Sequence, residues 1–286
     1  MKTMWKTAAT VVAMLSVISM ARADLNQNGE VGLPLNPIAQ IPNEGGMRVQ
    51  ANYYSGRLDD DTIVGGDDGP KSKYYGITAA GRVGDNIEIS GGVNRLDVDE
   101  NPYGGDLDYF DKYNKTGLSL GAKYLFKGDD DKSVNFAVGA GYNRALLNNV
   151  HVYGVASKAF GTREGRAPIM GHLGIRYDRF DNPDFSNNLP LDSNSSKASV
   201  FAGVEVPFTR NGDFAFVGEV GSKVARDNVN EAEEIYSAQI PFSASVRYRP
   251  AGQGFSGSLG IARNGIPGFG KSRLFAQLGY SFDTGQ

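Results

Sequence analysis

Residues 118–126 read Leu-Ser-Leu-Gly-Ala-Lys-Tyr-Leu-Phe, and this stretch alternates between two kinds of side chain. Alternate residues of a β-strand point to opposite faces of a sheet. One face of this stretch carries the apolar residues Leu118, Leu120, Ala122, Tyr124 and Phe126. The other face carries the small or polar residues Ser119, Gly121 and Lys123. A period of two predicts a long strand that is apolar on one side only.

The same period recurs along most of the chain. About twelve windows show it, at 46–56, 73–83, 87–96, 115–126, 133–144, 149–160, 168–179, 197–208, 214–223, 239–249, 255–263 and 271–282. Most of them hold roughly the 9–11 residues that a tilted strand needs to cross a bilayer. Strands of soluble domains average about 5–6 residues. The sequence therefore predicts an all-β fold: an antiparallel, up-and-down transmembrane β-barrel of about 12 strands over residues 46–286.

The connections between these windows alternate in length, which supports the same fold. One set is short, at 84–86, 127–132, 161–167, 209–213 and 250–254. The other set includes long, polar segments at 57–72, 97–114, 180–196 and 224–238. Barrels of outer membranes have short turns at the periplasmic end and longer loops outside. Tyrosine and phenylalanine also concentrate at the window ends, as expected for girdles at the two headgroup layers.

The N-terminus has the pattern of a secretory signal peptide. Lys2 and Lys6 precede an apolar run over residues 8–20, and Ala21 and Ala23 supply the small residues that a signal peptidase reads. The run is short for a membrane anchor, which is the alternative interpretation. We expect a signal peptide over residues 1–23 and a mature chain that begins at Asp24.

Charge and composition exclude some classes of function. The chain carries 29 basic and 32 acidic residues, and cleavage would remove three of the basic ones. An acidic chain has no electrostatic basis for binding nucleic acid. With no cysteine, a secreted chain must be held together by its own sheet or core.

The chain resembles Gram-negative outer-membrane β-barrel proteins of the porin-like kind. Three features carry the resemblance: the signal pattern, the long alternating windows, and the aromatic residues Tyr280 and Phe282 of the last window. The resemblance implies an outer-membrane location and contact with outer-membrane lipid and with the barrel-assembly machinery. Proteins of that kind typically end on an aromatic residue, whereas residues 283–286 follow here. Residues 24–45 loosely resemble the N-terminal segment of some barrels linked to exopolysaccharide secretion.

Because hydrocarbon does not solvate charge, charged side chains of the windows should face the barrel interior. This rule yields ten candidate lumen-lining residues: Arg48, Arg82, Glu88, Lys123, His172, Arg176, Glu205, Glu219, Arg247 and Arg273. The window 149–160 allows either face. Many other inward positions are small, such as Gly121 and Gly203, and so favour an open lumen over a packed one.

The interior has two interpretations. Its charges can form a structural ion-pair network, or they can line an aqueous channel that prefers small polar or anionic solutes because inward cations predominate. We favour the channel. The alternative is a structural or accessory barrel with a plugged lumen, linked to exopolysaccharide secretion. Residues 24–45 are expected to form an N-terminal segment that lies either in the periplasm or in the lumen. A soluble periplasmic all-β domain is a further alternative.

Enzymatic chemistry has little support in the sequence. A lipid-modifying enzyme would need a serine nucleophile with a base. Ser157 and His172 are the candidate pair for these two roles. No nucleophile motif surrounds it, so we expect no enzyme, no catalytic residue and no cofactor. Residues 24–29 match the start of a calcium loop, but Leu35 stands where the bidentate acid belongs, so we expect no metal site.

Overall fold

The computed structural model describes residues 24–42, 46–57, 71–98, 115–128, 133–144, 148–161, 167–181, 194–224, 228–230, 233–236, 239–250, 254–265 and 271–282. The predicted signal peptide, most of the long acidic loops and residues 283–286 lie outside these ranges. In the described part of the chain, no helix has the length and apolarity needed to cross a membrane.

Twelve long strands form the fold, and each overlaps one of the predicted windows. They are β1 (Met47–Arg57), β2 (Lys71–Val83), β3 (Ile87–Val98), β4 (Lys115–Phe126), β5 (Asn135–Arg144), β6 (Asn148–Phe160), β7 (Ile169–Asp181), β8 (Asn194–Pro207), β9 (Phe214–Gly221), β12 (Phe242–Tyr248), β13 (Phe255–Arg263) and β14 (Arg273–Phe282). Two short strands, β10 (Asn228–Asn230) and β11 (Glu233–Tyr236), pair with each other inside a segment predicted as loop.

The twelve long strands form a closed antiparallel barrel, because β1 also pairs with β14, from Met47 opposite Phe282 to Ser55 opposite Leu274. Closure leaves no sheet edge unpaired, as a bilayer requires. We call the end where β1 begins and β14 ends the short-turn end, and the opposite end the long-loop end. The predicted all-β barrel of twelve strands is confirmed.

Apolar side chains cover the outside of the barrel. Leu120, Leu259 and Ile175 are each at least 60% exposed, and no second sheet or helix layer among the described residues covers them. Aromatic pairs near the short-turn end, such as Phe214 with Tyr248 at 4.7 Å between ring centroids, form part of a girdle. Such a surface is stable only when hydrocarbon surrounds it.

Polar side chains face the interior. On β4, Ser119 and Lys123 are buried while Leu118 and Leu120 are exposed, as the alternation predicts. The structure also decides the facing of β6, which the sequence left open: its buried face carries Asn149, His151, Tyr153, Val155 and Ser157.

Candidate functional site

Residues 24–42 lie inside the barrel, and we call them the plug. All of them are buried except Gln27 and Gln40, which are half-buried. Two antiparallel bridges, from Leu25 to Val31 and from Gly32 to Pro37, give the plug a folded form. The interior is therefore filled along much of its length by the chain's own N-terminal segment.

Local sequence explains the first turn of the plug. The Asn26 side-chain oxygen accepts the backbone N–H groups of Asn28 at 2.9 Å and Glu30 at 3.1 Å. Asparagine commonly stabilises turns in this way. Gly29 has a φ of +96°, a conformation that side chains strongly disfavour. The stretch that matches the start of a calcium loop thus uses its oxygens to hold a turn.

The path of the plug follows from its contacts. Asp24 lies at the short-turn end, beside Arg48 of β1. The chain then reaches Asn143, near the long-loop end of β5, where the Asn143 side chain donates to Asn28 at 2.6 Å. It later returns toward the short-turn end, where the Ala39 N–H donates to Ser157 at 2.9 Å. Both ends of the plug therefore lie toward the short-turn end.

Two clamps on the wall hold the plug backbone. Gln50 accepts the Leu25 N–H at 3.1 Å and donates to the Leu25 carbonyl at 2.7 Å. Glu88 accepts the Val31 N–H at 2.9 Å, and Lys123 donates to the Val31 carbonyl at 2.8 Å. The Glu88 and Lys123 side chains are 3.0 Å apart and fully buried. A buried peptide group without such partners would be costly.

A third wall carboxylate, that of Glu219 on β9, receives the second loop of the plug. It accepts the Leu35 N–H at 2.7 Å and the Asn36 side-chain amide at 2.8 Å. It also accepts the Ser243 hydroxyl of neighbouring β12 at 2.7 Å. The carboxylate thus has three donors and no cation in direct contact among the described residues.

Acids of the plug face basic side chains of the wall. The Asp24 carboxylate lies 3.8 Å from Arg48 and 3.4 Å from Arg247, and Arg247 also pairs with Glu205. The Glu30 carboxylate lies 3.4 Å from the His151 ring. The plug therefore contributes negative charge to an interior in which cations are in excess.

Glu30 has a strongly perturbed acidity. Burial by itself would raise the pKa of its carboxyl, but the charge and hydrogen bond of His151, together with the Asn26 amide, lower that pKa to about 2. Ionised Glu30 is thus the form that fits the docked plug.

Apolar contacts complete the docking. Leu25, Val31, Leu33 and Ile38 form a buried cluster with wall residues Ala80 and Val217. Gly203 on β8 leaves room for this cluster, because a Cβ atom at that position would lie 2.2 Å from Leu33 Cδ1. Small inward residues were expected to favour an open lumen. At Gly203 the small residue instead makes room for the plug.

The ten candidate lumen residues have different surroundings. Glu88, Lys123, Glu219, Arg48 and Arg247 contact the plug directly. Glu205 is connected to the plug through Arg247, and His172 lies beside Ser157. Arg176 and Arg273 line a cavity above the plug. Arg82 lies at the short-turn rim, where it bonds the Gly84 carbonyl.

Sequence reasoning did not identify Asp24, Glu30 or His151 as interior partners. Glu30 lies in a segment without periodicity, so no pattern could assign it a face. His151 lies in the one window whose facing was ambiguous. Asn149 lies two positions away and therefore on the same face of the strand. Because Asn149 is polar, it could have predicted that His151 faces the interior.

Ser157 and His172 are brought together by the register of β6 and β7, in which they are direct partners. Ser157 Oγ lies 2.8 Å from His172 Nδ1, and His172 Nε2 lies 3.6 Å from Glu205. Such an order of groups resembles a hydrolase triad. However, Ser157 is 1% exposed and its oxygen accepts the Ala39 N–H, so the hydroxyl serves the docking of the plug.

A cavity of about 130 Å³ lies between the plug and the long-loop end. Gln27, Asn28, Leu35 and Asn36 of the plug form part of its lining, and the strands supply the rest. No cluster of three or more metal-ligating side chains occurs among the described residues.

Comparison with known proteins gives structural likeness only. No protein-family model and no curated protein matches the chain. An outer-membrane channel from Pseudomonas putida F1 superposes with a TM-score of 0.52 at 11% identity, over 91% of this chain and 100% of that one. The NanC porin superposes with a TM-score of 0.50 at 13% identity, over 83% and 99%. The chain has the fold of outer-membrane channel barrels, in agreement with the sequence prediction and with its apolar exterior.

Proposed function

We propose that this protein is an outer-membrane channel for small polar or anionic solutes, and that the plug holds it closed at rest. The observation that carries the proposal is the nature of the plug–wall contact. Hydrogen bonds and ion pairs at Gln50, Glu88, Lys123 and Glu219 hold the plug. In the presence of water these bonds can be exchanged for bonds to water, so docking is reversible in principle.

Anion preference follows from the charges that the plug covers. When the plug leaves, Asp24 and Glu30 leave with it. Arg48, Arg247 and His151 then face water without these acids. Since wall cations already outnumber wall acids, the opened lumen would be more positive and would attract anions.

The absence of cysteine permits a clean test with a reversible lock. A Cβ atom at Gly203 would lie 2.2 Å from Leu33 Cδ1, so the double variant Leu33→Cys/Gly203→Cys places two thiols within the few ångströms that a disulfide spans. In planar bilayers we expect no conductance from the oxidised variant and wild-type openings after reduction. The single variant Leu33→Cys, which keeps Gly203 and so adds no side chain beside the plug, is the matched control.

Deletion of residues 24–42 completes the experiment. We expect a permanently open channel with a several-fold larger conductance and a reversal potential shifted toward chloride in a KCl gradient. A cation-selective current would contradict the proposed solute class. Equal conductance in the locked and reduced states would contradict closure by the plug.

A second candidate is a structural barrel whose lumen stays plugged, which the near-complete burial of residues 24–42 favours. It predicts no conductance from either the wild type or the reduced double variant. Neither candidate assigns chemistry to Ser157 and His172. In both, lipid surrounds the apolar belt, and the barrel-assembly machinery is the expected partner during insertion.

A further inference from the structure

The cavity above the plug is a composite of two parts of the chain. The plug provides Gln27, Asn28, Leu35 and Asn36, and the long-loop ends of the strands provide the walls. Its volume of about 130 Å³ is close to that of a ~150 Å³ cavity that holds one benzene molecule. The space therefore suits one six-membered ring.

Planar aromatic residues form one part of the cavity lining: Tyr54, Tyr74, Phe180 and Phe201. Tyr54 is fixed in place by its contact with Phe275, whose ring centroid is 5.3 Å away, and by the edge of Tyr74 at 5.7 Å. Aromatic faces are electron-rich and attract weakly positive C–H groups. A saturated ring, whose axial C–H groups point to its two faces, fits such a surface.

Side-chain amides form the second part: Gln27, Asn28, Asn36, Asn143, Asn149 and Asn264. An amide offers both donors and acceptors, and so does a hydroxyl group. A cavity that combines amides with aromatic rings matches a molecule with hydroxyl groups around its edge and C–H groups on its faces. Sugar rings have this distribution of groups.

The charged part of the lining consists of Asp178, Arg176 and Arg273. Asp178 is fully buried, and its Oδ1 atom accepts Arg176 at 2.6 Å and the Asn149 amide at 2.9 Å. Its Oδ2 atom is buried, and no described residue donates a hydrogen bond to it. A ligand hydroxyl would supply that donor, whereas a ligand carboxylate would be repelled. Arg176 is already engaged by Asp178.

We infer that this cavity is a binding site for a neutral sugar ring, recognised jointly by the plug and the wall. This inference rests on the proposed channel function, because it names the class of solute that enters the same lumen. Because the plug forms part of the site, the site exists only while the barrel is closed. A solute arriving from the long-loop end would bind there before the plug moves.

Calorimetric titration of the detergent-solubilised full mature chain with D-glucose, D-galactose and D-mannose tests the inference. We expect saturable binding of at least one hexose, and binding of D-glucuronate at least tenfold weaker. Absence of saturable hexose binding would overturn the inference. So would tighter binding of glucuronate, which would identify an anion site governed by Arg176 and Arg273 instead.

Variants connect the binding to the cavity. Asp178→Asn should weaken hexose binding about tenfold, and Phe180→Leu, which keeps an apolar side chain but removes the ring face, should weaken it severalfold. Arg82→Ala, at the opposite rim, should leave the affinity unchanged. Unchanged affinity in both cavity variants would overturn the inference.

The oxidised Leu33→Cys/Gly203→Cys variant separates this inference from the proposed gating. It should bind the hexose as the wild type does while carrying no current, since the plug is in place. Deletion of residues 24–42 should abolish binding while raising conductance. Hexose binding that survives this deletion would contradict a composite site, whatever the conductance measurements show.

Discussion

The two halves of the barrel interior differ in how they are filled. Toward the short-turn end, the plug packs against the wall and nearly every charge has a partner, as at Glu88 with Lys123 and at Arg247 with Glu205. Toward the long-loop end, the same wall surrounds a cavity lined by amides and aromatic rings. The plug fills one half, and the other half contains an open cavity.

One strand contributes side chains to both halves. On β7, His172 lies beside Ser157 in the closed half, while Asp178 and Phe180 line the cavity. Changes in the closed half should therefore alter gating and stability, and changes in the open half should alter binding. The following predictions test that separation, from the largest expected effect to the smallest.

The largest effect is expected from Lys123→Met in the closed half. The substitution would leave Glu88 buried without its cation and would remove the donor to the Val31 carbonyl. Breaking a buried pair in this way typically costs about 3–5 kcal/mol. We expect a lower unfolding temperature in detergent and far more frequent channel openings in bilayers.

The double variant Glu88→Gln/Lys123→Met is the control for this pair. It removes both charges and keeps an acceptor for the Val31 N–H, so it should recover much of the lost stability. If the single variant behaves as the wild type in both measurements, the clamp does not hold the plug.

Acid should release the plug through Glu30. Its pKa of about 2 in the docked plug lies below the ordinary value of 4.5, so its contribution is complete above pH 4.5 and is lost as the pH falls toward 2. The shift corresponds to about 3 kcal/mol. Open probability of the wild type should rise across this range, and Glu30→Gln should flatten the dependence. A wild-type open probability that stays constant from pH 4.5 to 2 would argue against this role.

Glu219→Ala should have an intermediate effect. It leaves the Leu35 N–H and the Asn36 amide without their acceptor, at a cost of about 1–3 kcal/mol. Protease digestion of the mature protein should cut the plug faster than in the wild type. Glu219→Gln, which retains acceptors, should lie between the two. Equal cutting rates in all three proteins would exclude Glu219 as an anchor.

Asn143→Ala should have the smallest effect on closure. It removes the hydrogen bond from Asn143 to Asn28, which contributes about 1 kcal/mol. The open probability should change only slightly, whereas hexose affinity should fall because the amide lines the cavity. A large change in gating with unchanged affinity would reverse the assignment of the two halves.

The strands could be predicted closely because their cause is local. Windows such as 115–126 coincide with a strand to the residue, and the facing of Glu88, Lys123 and Arg247 followed from hydrocarbon excluding charge. The ribbon of β10 and β11 was not predicted, since its strands are too short to show a period. The predicted start of β12 is three residues early, because Gln239 and Ile240 continue the alternation of polar and apolar side chains.

What the sequence determined by itself is the barrel: the period of two fixes which side of each strand meets lipid and which meets the interior. What only the tertiary structure decided is the contents of that interior. The plug has no period, and its partners, such as Val31 with Glu88 and Ala39 with Ser157, lie far away along the chain. Backbone N–H and carbonyl groups make most of these contacts. Every residue except proline carries both groups, so the sequence could not mark which ones the wall would bind.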